Sequence, residues 1–180
     1  MNLKNIKLFL SDVDGCMTNG TVYVGVEQEL VGFDIQDGIG HRLADYAGIK
    51  VGWLSGRHSE PVGVRARKLK VPHLYQGVTD KLKKAKEHCE KEGLSLSQVA
   101  YLGDDLIDIP LLQKVGWAVA VKNARPEVKE VAHYVTRAHG GEGAFREAVE
   151  KLIKAQGCWK QTLKKFHETN SAPPPRFNLD

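Results

Sequence analysis

The sequence has few cysteines, and their spacing argues against a disulfide framework. Only three occur among 180 residues, Cys16, Cys89 and Cys158, and no two form a CxxC pair. An odd, widely spaced set favours a reduced, cytoplasmic compartment. The seven histidines form no HxxxH or HExxH pattern either, so their spacing predicts no zinc site.

The sequence also lacks a long hydrophobic run near its amino terminus. The apolar stretch at residues 6–10 is interrupted by Lys7 and followed at once by Asp12. It is too short for the hydrophobic region of a signal peptide or for a membrane span. We therefore expect no membrane partner.

The composition is that of one globular domain with a mild positive charge. Hydrophobic residues make up 42% and charged residues 27% of the chain, and the formal net charge is +4. The basic stretches at residues 57–70 and 81–86 contain no interleaved aromatic residues. They are typical of solvated helix faces or of the rim of an anion site, and we expect no nucleic-acid partner.

Apolar runs alternate with helical patterns through the first 155 residues. Predicted strands cover residues 6–10, 49–54, 73–75, 99–102, 117–121 and 134–135. Predicted helices lie near residues 39–47, 59–69, 80–92, 106–115, 126–131 and 143–156. This alternation predicts an α/β fold, a Rossmann-like and mostly parallel sheet with helices on both faces.

Two further segments depart from this alternation. Residues 21–26 and 28–33, around Gly25, predict a β-hairpin that projects directly after the first strand. From Cys158 onward we expect a helical extension, and the proline run at 173–175 predicts a disordered end over the last ten residues. The expected organisation is one domain at 1–157 followed by an extension at 158–180.

The strongest chemical signal is a pair of acidic clusters, each placed directly after a predicted strand. Asp12-Val13-Asp14-Gly15 follows the first strand, and Gly103-Asp104-Asp105-Leu106-Ile107-Asp108 follows the run at 99–102. Ligands of open parallel sheets bind outside the carboxyl ends of the strands. Acidic clusters converging there would repel unless a cation held them, and oxygen ligands favour Mg²⁺. An acidic turn or a helix cap would explain one aspartate but not both clusters.

Two other positions predict a phosphate site. Ser55-Gly56 ends the strand at 49–54 and offers a hydroxyl and backbone N–H groups to an anion. Lys81 opens a predicted helix, where a cation is poorly placed for the helix dipole. Both features are typical of a phosphate site, although solvated lysines are commoner.

Four segments resemble, in order and position, the four motifs of the haloacid-dehalogenase superfamily. They are Asp12-Val13-Asp14-Gly15, Ser55-Gly56, Lys81 and Gly103-Asp104-Asp105. The resemblance covers residues 6 to about 157. It implies that Asp12 attacks phosphorus and forms an aspartyl-phosphate, while Asp14 protonates the leaving group and later activates water. It also implies that Ser55, Gly56 and Lys81 hold the phosphoryl oxygens.

The same resemblance implies a set of metal-binding residues. Mg²⁺ would be held by the carboxylates of Asp12 and Asp104 and by the backbone carbonyl of Asp14, and Asp105 would orient the site. Only a hairpin and one helix lie between Asp14 and Ser55, so the chain has no cap domain. An uncapped member accepts large substrates or closes its site with a neighbouring subunit.

At a finer level the chain resembles the family of 3-deoxy-D-manno-octulosonate 8-phosphate phosphatases. Matching segments include residues 33–40, Ser55-Gly56-Arg57, 74–77 and the glycine-rich stretch at 140–147. The family resemblance implies a homotetramer with the hairpins at its centre, and a glycine-rich stretch that can reach a neighbouring site. It implies these substrate contacts: Asp34, Ile35, Gln36, Asp37, Gly38, Arg42, Gly56, Arg57 and Arg65. Arginine suits the carboxylate of a sugar acid phosphate, although Arg57 and Arg65 also fit an ordinary basic helix.

Two alternatives remain open from the residues. A sister group acts on nine-carbon 2-keto-3-deoxy sugar acid phosphates with nearly the same motifs, and only Arg57 favours the eight-carbon substrate. Related domains also serve as non-catalytic oligomerisation modules of sugar-nucleotide synthesis, but in this sequence every motif residue is intact. We therefore predict a Mg²⁺-dependent phosphatase.

Overall fold

The structure is a computed structural model that describes residues 2–170. Its strands are β1 (Leu8–Ser11), β2 (Val22–Val24), β3 (Glu29–Val31), β4 (Lys50–Leu54), β5 (His73–Tyr75), β6 (Val99–Gly103), β7 (Trp117–Ala120) and β8 (Tyr134–Val135). Its helices are α1 (Ile35–Tyr46), α2 (Glu60–Leu69), α3 (Lys81–Glu92), α4 (Ile109–Leu112), α5 (Pro126–Val131), α6 (Ala144–Ala155) and α7 (Trp159–Asn170). Short 3₁₀ turns occur at Leu3–Asn5, Leu96–Gln98 and Leu106–Asp108.

Six strands form one parallel sheet in the order β5-β4-β1-β6-β7-β8, which confirms the predicted α/β fold. Helices α1, α6 and α7 pack with one another, and α3, α4 and α5 form a second group. After β1 the chain winds first toward β4 and β5, and later toward β6, β7 and β8 on the other side. The winding direction therefore reverses at β1, and a crevice opens outside the carboxyl ends of β1 and its neighbours.

The core lies on both faces of the central strands. All four residues of β1 are buried, and the Phe9 ring meets Trp117 and Phe145 edge-on at 6.1 and 5.2 Å between ring centroids. Such edge-to-face contacts add to the free energy gained from burying the rings. The core therefore fixes β1, whose end carries the first acidic cluster.

Two helices differ from their predicted bounds for local reasons. Helix α1 begins at Ile35, not near residue 39, because the Asp34 carboxylate caps it by accepting hydrogen bonds from the N–H groups of Gln36 and Asp37. The helix predicted at 106–115 is divided into a 3₁₀ turn and the short α4. Pro110 lies in the first turn of α4, where its missing N–H is tolerated, so α4 starts there.

The predicted hairpin is present but shorter than expected. Strands β2 and β3 pair antiparallel as a separate two-stranded sheet, closed by a hydrogen bond of 2.8 Å from the Gly25 N–H to the Gln28 carbonyl. Several large apolar side chains on and beside it are exposed: Tyr23, Val24, Val26 and Leu30. The hairpin therefore presents an apolar surface that no other part of residues 2–170 covers.

The extension after Cys158 forms α7, which packs against α1. The Phe166 ring meets Tyr46 at 6.3 Å, and the Lys165 ammonium donates to the Tyr46 carbonyl at 3.2 Å. The end predicted to be disordered, residues 171–180, lies outside the described residues. Among residues 2–170, no helix has the length and apolar character needed to cross a bilayer.

Candidate active site

The acidic clusters meet because their strands are neighbours. The Asp12 N–H donates to the Leu102 carbonyl at 2.9 Å, which continues the β1–β6 pairing one residue past β1. This register brings Asp12 beside Asp104, the first residue after β6. One carboxylate oxygen from each of Asp12, Asp104 and Asp108 lies within 4.8 Å of the others. The structure thus gathers three carboxylates at the carboxyl edge of the sheet, where the winding reverses.

Lys81 holds this cluster together from the first turn of α3. Asp80 caps that helix by accepting from the Lys83 N–H at 2.8 Å, which sets where Lys81 enters the site. The Lys81 ammonium lies 2.7 Å from Asp12 Oδ2 and 2.7 Å from Asp108 Oδ1. The three side chains are between 0% and 6% exposed, so the ion pairs are shielded from water. Removing one partner would leave an uncompensated buried charge.

Asp108 belongs to the cluster although it is not among the predicted site residues. Its carboxylate accepts hydrogen bonds from Lys81, from the Tyr101 hydroxyl at 2.6 Å and from the Asp104 N–H at 3.0 Å. A Cβ on Gly103 would come within 2.7 Å of this side chain, so glycine is needed there. The signal was present in the sequence, because Asp108 is the third aspartate of the second cluster.

With its three carboxyl groups ionised, the cluster carries more negative than positive charge, and the protein raises the pKa of two of them. Burial, reinforced by the charge of Asp108, raises the pKa of Asp12 to about 8 even though Lys81 acts to lower it. Burial likewise raises the pKa of Asp104 to about 7. Burial alone would lower the pKa of Lys81, but Asp12 and Asp108 raise it above its ordinary value. Three carboxylates facing one ammonium fit a divalent cation with oxygen ligands, which would balance the remaining charge.

Arg57 holds the second aspartate of the first cluster. Its guanidinium contacts Asp14 at two points, Nη2 to Oδ1 at 2.9 Å and Nε to Oδ2 at 3.1 Å. Its Nη1 lies 3.3 Å from Glu29 of the hairpin, which also accepts a hydrogen bond from the Ser59 hydroxyl. These contacts raise the pKa of Arg57, the bond to Asp14 contributing most. Glu29 ties the hairpin to the site, and no motif in the sequence indicates it.

Ser55 lies at the end of β4, beside β1 in the sheet. Its N–H donates to the Tyr75 carbonyl at 2.9 Å, and its hydroxyl donates to the Arg57 carbonyl at 3.0 Å. Gly56 is exposed at the turn that follows. The structure therefore places the predicted phosphate-holding turn at the same sheet edge as the carboxylates.

The predicted contacts at the start of α1 do not form one surface. Ile35 and Gln36 are exposed, whereas Asp37 is 1% exposed and accepts from the Arg146 N–H of α6 at 2.8 Å. Asp34 and Gly38 serve the helix instead: Asp34 caps it, and Gly38 is buried where Arg65 approaches closely. A buried carboxylate bound to another helix is not available to a substrate, so Asp37 has a packing role in this chain.

The side chains of three further predicted residues do not join the cluster, although the Asp105 N–H donates to the Asp108 carboxylate at 3.3 Å. Arg65 stacks over Phe33 at 5.8 Å and donates to the Asp34 carbonyl at 3.3 Å. Arg42 lies over the Phe166 ring at 5.3 Å and lines a cavity of 980 Å³ with the first residues of β4 and β5, which is the opposite edge of the sheet. The exposed carboxylate of Asp105 caps the next turn by accepting from the Leu106 N–H at 2.7 Å. Their side-chain positions follow from helix and turn geometry that the motifs do not encode.

The glycine-rich stretch at 140–143 packs on the site of its own chain. The Gly141 N–H donates to the Cys16 carbonyl at 2.9 Å. A Cβ on Gly140 would lie 1.6 Å from the Gly15 carbonyl oxygen, so only glycine allows this approach. In the structure this stretch supports the loop that carries Asp12 and Asp14.

Comparisons with known sequences agree with this geometry. A family model described as haloacid dehalogenase-like hydrolase matches residues 66–147. The chain is 43% identical over 155 residues to the 3-deoxy-D-manno-octulosonate 8-phosphate phosphatase KdsC of Escherichia coli (strain K12), covering 86% of this chain and 82% of that protein. It is also 43% identical over 153 residues to KdsC of Yersinia pestis, covering 84% and 82%.

Solved structures show the same fold. The 3-deoxy-D-manno-octulosonate 8-phosphate phosphatase of Moraxella catarrhalis, solved with magnesium, phosphate and KDO, is similar with a TM-score of 0.88 and 36% identity over 92% of this chain and 95% of that one. The cobalt-bound phosphatase of Haemophilus influenzae is similar with a TM-score of 0.86 and 32% identity over 91% and 99%.

Proposed function

We propose a specific reaction for this chain, which belongs to the haloacid dehalogenase-like hydrolases and, within them, to the family of the KdsC phosphatases. It is a phosphatase, and we infer that it hydrolyses 3-deoxy-D-manno-octulosonate 8-phosphate to the free sugar acid and inorganic phosphate. The observation that carries the proposal is the buried cluster of Asp12, Lys81, Asp104 and Asp108 at the carboxyl edge of the sheet. The substrates named for the relatives support the choice of sugar acid.

The cofactor is Mg²⁺. The oxygen donors and the uncompensated charge of the cluster fit it, and the magnesium in the Moraxella catarrhalis relative supports it. Asp12 and Asp104 would hold the ion through their carboxylates and Asp14 through its backbone carbonyl, and Asp105 would orient the site. When bound, the ion offsets the negative charge that develops on the transferring phosphoryl group.

The chain's own residues carry the chemical steps. A carboxylate oxygen of Asp12 attacks phosphorus, and the bond from phosphorus to the sugar oxygen breaks as Asp14 gives that oxygen a proton. Asp14, now ionised, takes a proton from water, whose oxygen attacks the aspartyl-phosphate and releases phosphate and free Asp12. Lys81, Ser55 and the N–H groups around Gly56 would stabilise the phosphoryl oxygens.

Arg57 is the proposed contact for the far end of the substrate. Its guanidinium contacts Asp14 through Nε and Nη2 and Glu29 through Nη1, and its side chain is 40% exposed. A substrate carboxylate reaching it from solvent would exchange with one of these contacts. A planar fork suits the carboxylate of a sugar acid, and lysine cannot reproduce two parallel bonds. We expect Arg57→Lys to raise KM for the eight-carbon substrate more than it lowers kcat.

We also propose that the working unit is a homotetramer assembled through the hairpin. The side chains of Tyr23, Val24 and Leu30 are 63%, 83% and 58% exposed, and Val26 beside them is fully exposed. Contiguous exposed apolar residues of this kind are typical of interaction surfaces. Light scattering should give a tetramer for the wild type and smaller species for Val24→Lys, and a wild-type monomer would contradict the proposal.

The test of the mechanism is phosphate release by Asp12→Asn. Asparagine keeps the size of the side chain but cannot form the aspartyl-phosphate, so we expect activity to fall to background. Asp45→Asn, at an exposed position of α1, is the matched control and should keep wild-type activity. Circular dichroism confirms that both variants fold. Full activity of Asp12→Asn, or of the wild type in excess chelator, would contradict the mechanism.

The test of the substrate is kcat/KM across a panel of phosphates. We expect the eight-carbon sugar acid phosphate to be preferred over the nine-carbon homologue and over simple hexose phosphates. A preference for the nine-carbon compound would reassign the substrate, and equal values across the panel would contradict a sugar acid specificity.

A further inference from the structure

Two histidines and a glutamate converge at the edge of the sheet opposite Asp12. His73 is the first residue of β5, and His88 and Glu92 lie one turn apart near the end of α3. One ligand atom from each lies within 4.8 Å of the others. Because the histidines come from separate elements, no histidine spacing in the sequence could indicate this cluster, and that spacing predicted no zinc site.

The two imidazoles are close neighbours, and the Nε2 atom of each lacks a hydrogen-bond partner among the described residues. Their ring centroids are 4.3 Å apart, and His88 is only 3% exposed. Within residues 2–170, Nε2 of His73 and Nε2 of His88 are buried atoms with no partner. A buried polar atom without a partner costs free energy, and two such atoms on neighbouring rings need an explanation.

The remaining contacts prepare these atoms to bind a metal ion. The second nitrogen of His88, Nδ1, is 3.0 Å from the Tyr75 hydroxyl. With the proton on Nδ1 donated to that hydroxyl, the lone pair lies on Nε2, which is how metal-binding histidines are usually oriented. Burial lowers the pKa of both histidines, which favours the neutral rings over the charged ones. Glu92 contacts the Lys50 ammonium, which lowers the pKa of its carboxyl group.

We propose that His73, His88 and Glu92 form a Zn²⁺ site separate from the catalytic cluster. Two histidines and one carboxylate are an established ligand set for zinc and leave a fourth position for water. In a tetrahedral site with bonds of about 2.0–2.1 Å, ligand atoms are about 3.4 Å apart, and binding would bring these side chains to that spacing. To bind the ion, Glu92 gives up its ion pair with Lys50. The Lys50 side chain is 56% exposed, so its ammonium group is then solvated by water.

The site does not overlap the phosphatase centre. Lys81 begins α3 in the catalytic cluster, and His88 lies about 10 Å further along the helix axis at ~1.5 Å per residue. The bound ion would tie the end of α3 to the edge strand β5. It adds a stabilising link to the helix that positions Lys81, and it is independent of the proposed reaction.

The experiment is a Zn²⁺ titration of the full chain in saturating Mg²⁺, which occupies the carboxylate cluster. We expect one Zn²⁺ per protomer, and a rise in the thermal midpoint because the three ligands are assembled only in the folded state. His73→Gln and His88→Gln should remove this binding and the rise in midpoint. Tyr75→Phe should weaken binding by about 10–100-fold, the usual cost of losing a hydrogen bond to a metal ligand.

The matched control is His139→Gln, which removes a histidine that also faces a glutamate, Glu142, but no second histidine. It should bind Zn²⁺ like the wild type. A second test uses the wild type alone and therefore does not depend on how any variant folds. Wild-type crystals are soaked in Zn²⁺, and diffraction is measured at the zinc absorption edge. An anomalous peak between His73 and His88 supports the site. Peaks at the carboxylate cluster alone, no binding in saturating Mg²⁺, or unchanged binding by His88→Gln would each overturn the proposal.

Discussion

His41 makes a specific prediction about how stability depends on pH. It lies in α1, is 5% exposed, and its ring stacks on Phe145 at 4.5 Å and meets Trp53 at 5.3 Å. Burial, together with the charge of Arg65 on α2, lowers its pKa to about 3. The folded protein therefore keeps this ring neutral, and the perturbation we consider is His41→Phe, which keeps an aromatic ring but cannot take a proton.

The direction follows from the two pKa values. The unfolded chain protonates His41 below an ordinary pKa of about 6.5, and the folded chain does not until about pH 3. The neutral ring makes its full contribution to the free energy of unfolding above pH 6.5, and this contribution is lost as the pH falls below 6.5. Each pH unit in this window costs about 1.4 kcal/mol of unfolding free energy, or about 2 kcal/mol between pH 6.5 and 5.0.

The measurement is urea unfolding from pH 7.5 to 5.0 at a fixed protomer concentration, followed by tryptophan fluorescence. The quantity compared is the stability of the wild type minus that of His41→Phe, because groups common to both proteins cancel. With a urea dependence of about 2 kcal/mol/M, the midpoint difference should change by about 1 M over the window. A difference that stays constant with pH would show that His41 is protonated in the folded state, and would refute the reasoning.

Two other predictions rest on contacts of the same region. For Asp37→Asn we expect the stability difference from the wild type to change with pH in the opposite direction. Burial raises the pKa of Asp37 to about 6, so the folded wild type binds a proton before the unfolded chain does. The wild type should therefore gain stability over the variant as the pH falls from 6 toward 4, as measured by the same unfolding series. Gly140→Ala should abolish phosphatase activity and lower the thermal midpoint by several degrees, because the added Cβ would overlap the Gly15 carbonyl. Gly32→Ala is the control and should change neither quantity, because a Cβ there meets nothing within 4 Å. Equal midpoints for the two variants would contradict the packing argument.

The α/β fold was predictable because its signals are local. Apolar runs that end in glycine, serine or aspartate predicted all six strands of the sheet, since a strand buried on both faces reads as a continuous apolar segment. The differences lie at the ends of elements, in the two hairpin strands and in two helices. Asp34 extends α1 by one turn through its cap, and Pro110 separates α4 from the turn before it.

The position of the candidate site was predictable for a similar reason. Carboxyl ends of parallel strands share one edge, so motifs that follow strands must meet there, and Asp12, Asp104, Ser55 and Lys81 do. The roles of individual side chains were less predictable. Asp37 and Arg42 both lie in α1, close to the motifs in sequence. The rotation of the helix buries Asp37 against α6 and places Arg42 over the Phe166 ring of α7.

The contacts that no motif indicated all join side chains from elements distant in the sequence. Lys81 of α3 contacts Asp108 of the turn after β6, and Arg57 contacts Glu29 of the hairpin. His73 of β5 lies against His88 of α3. A pattern read along the chain reports which residues share a strand end or a helix face, because those relations repeat every two or 3.6 residues. Which side chains touch across elements depends on register, helix rotation and packing, and these exist only in the folded chain.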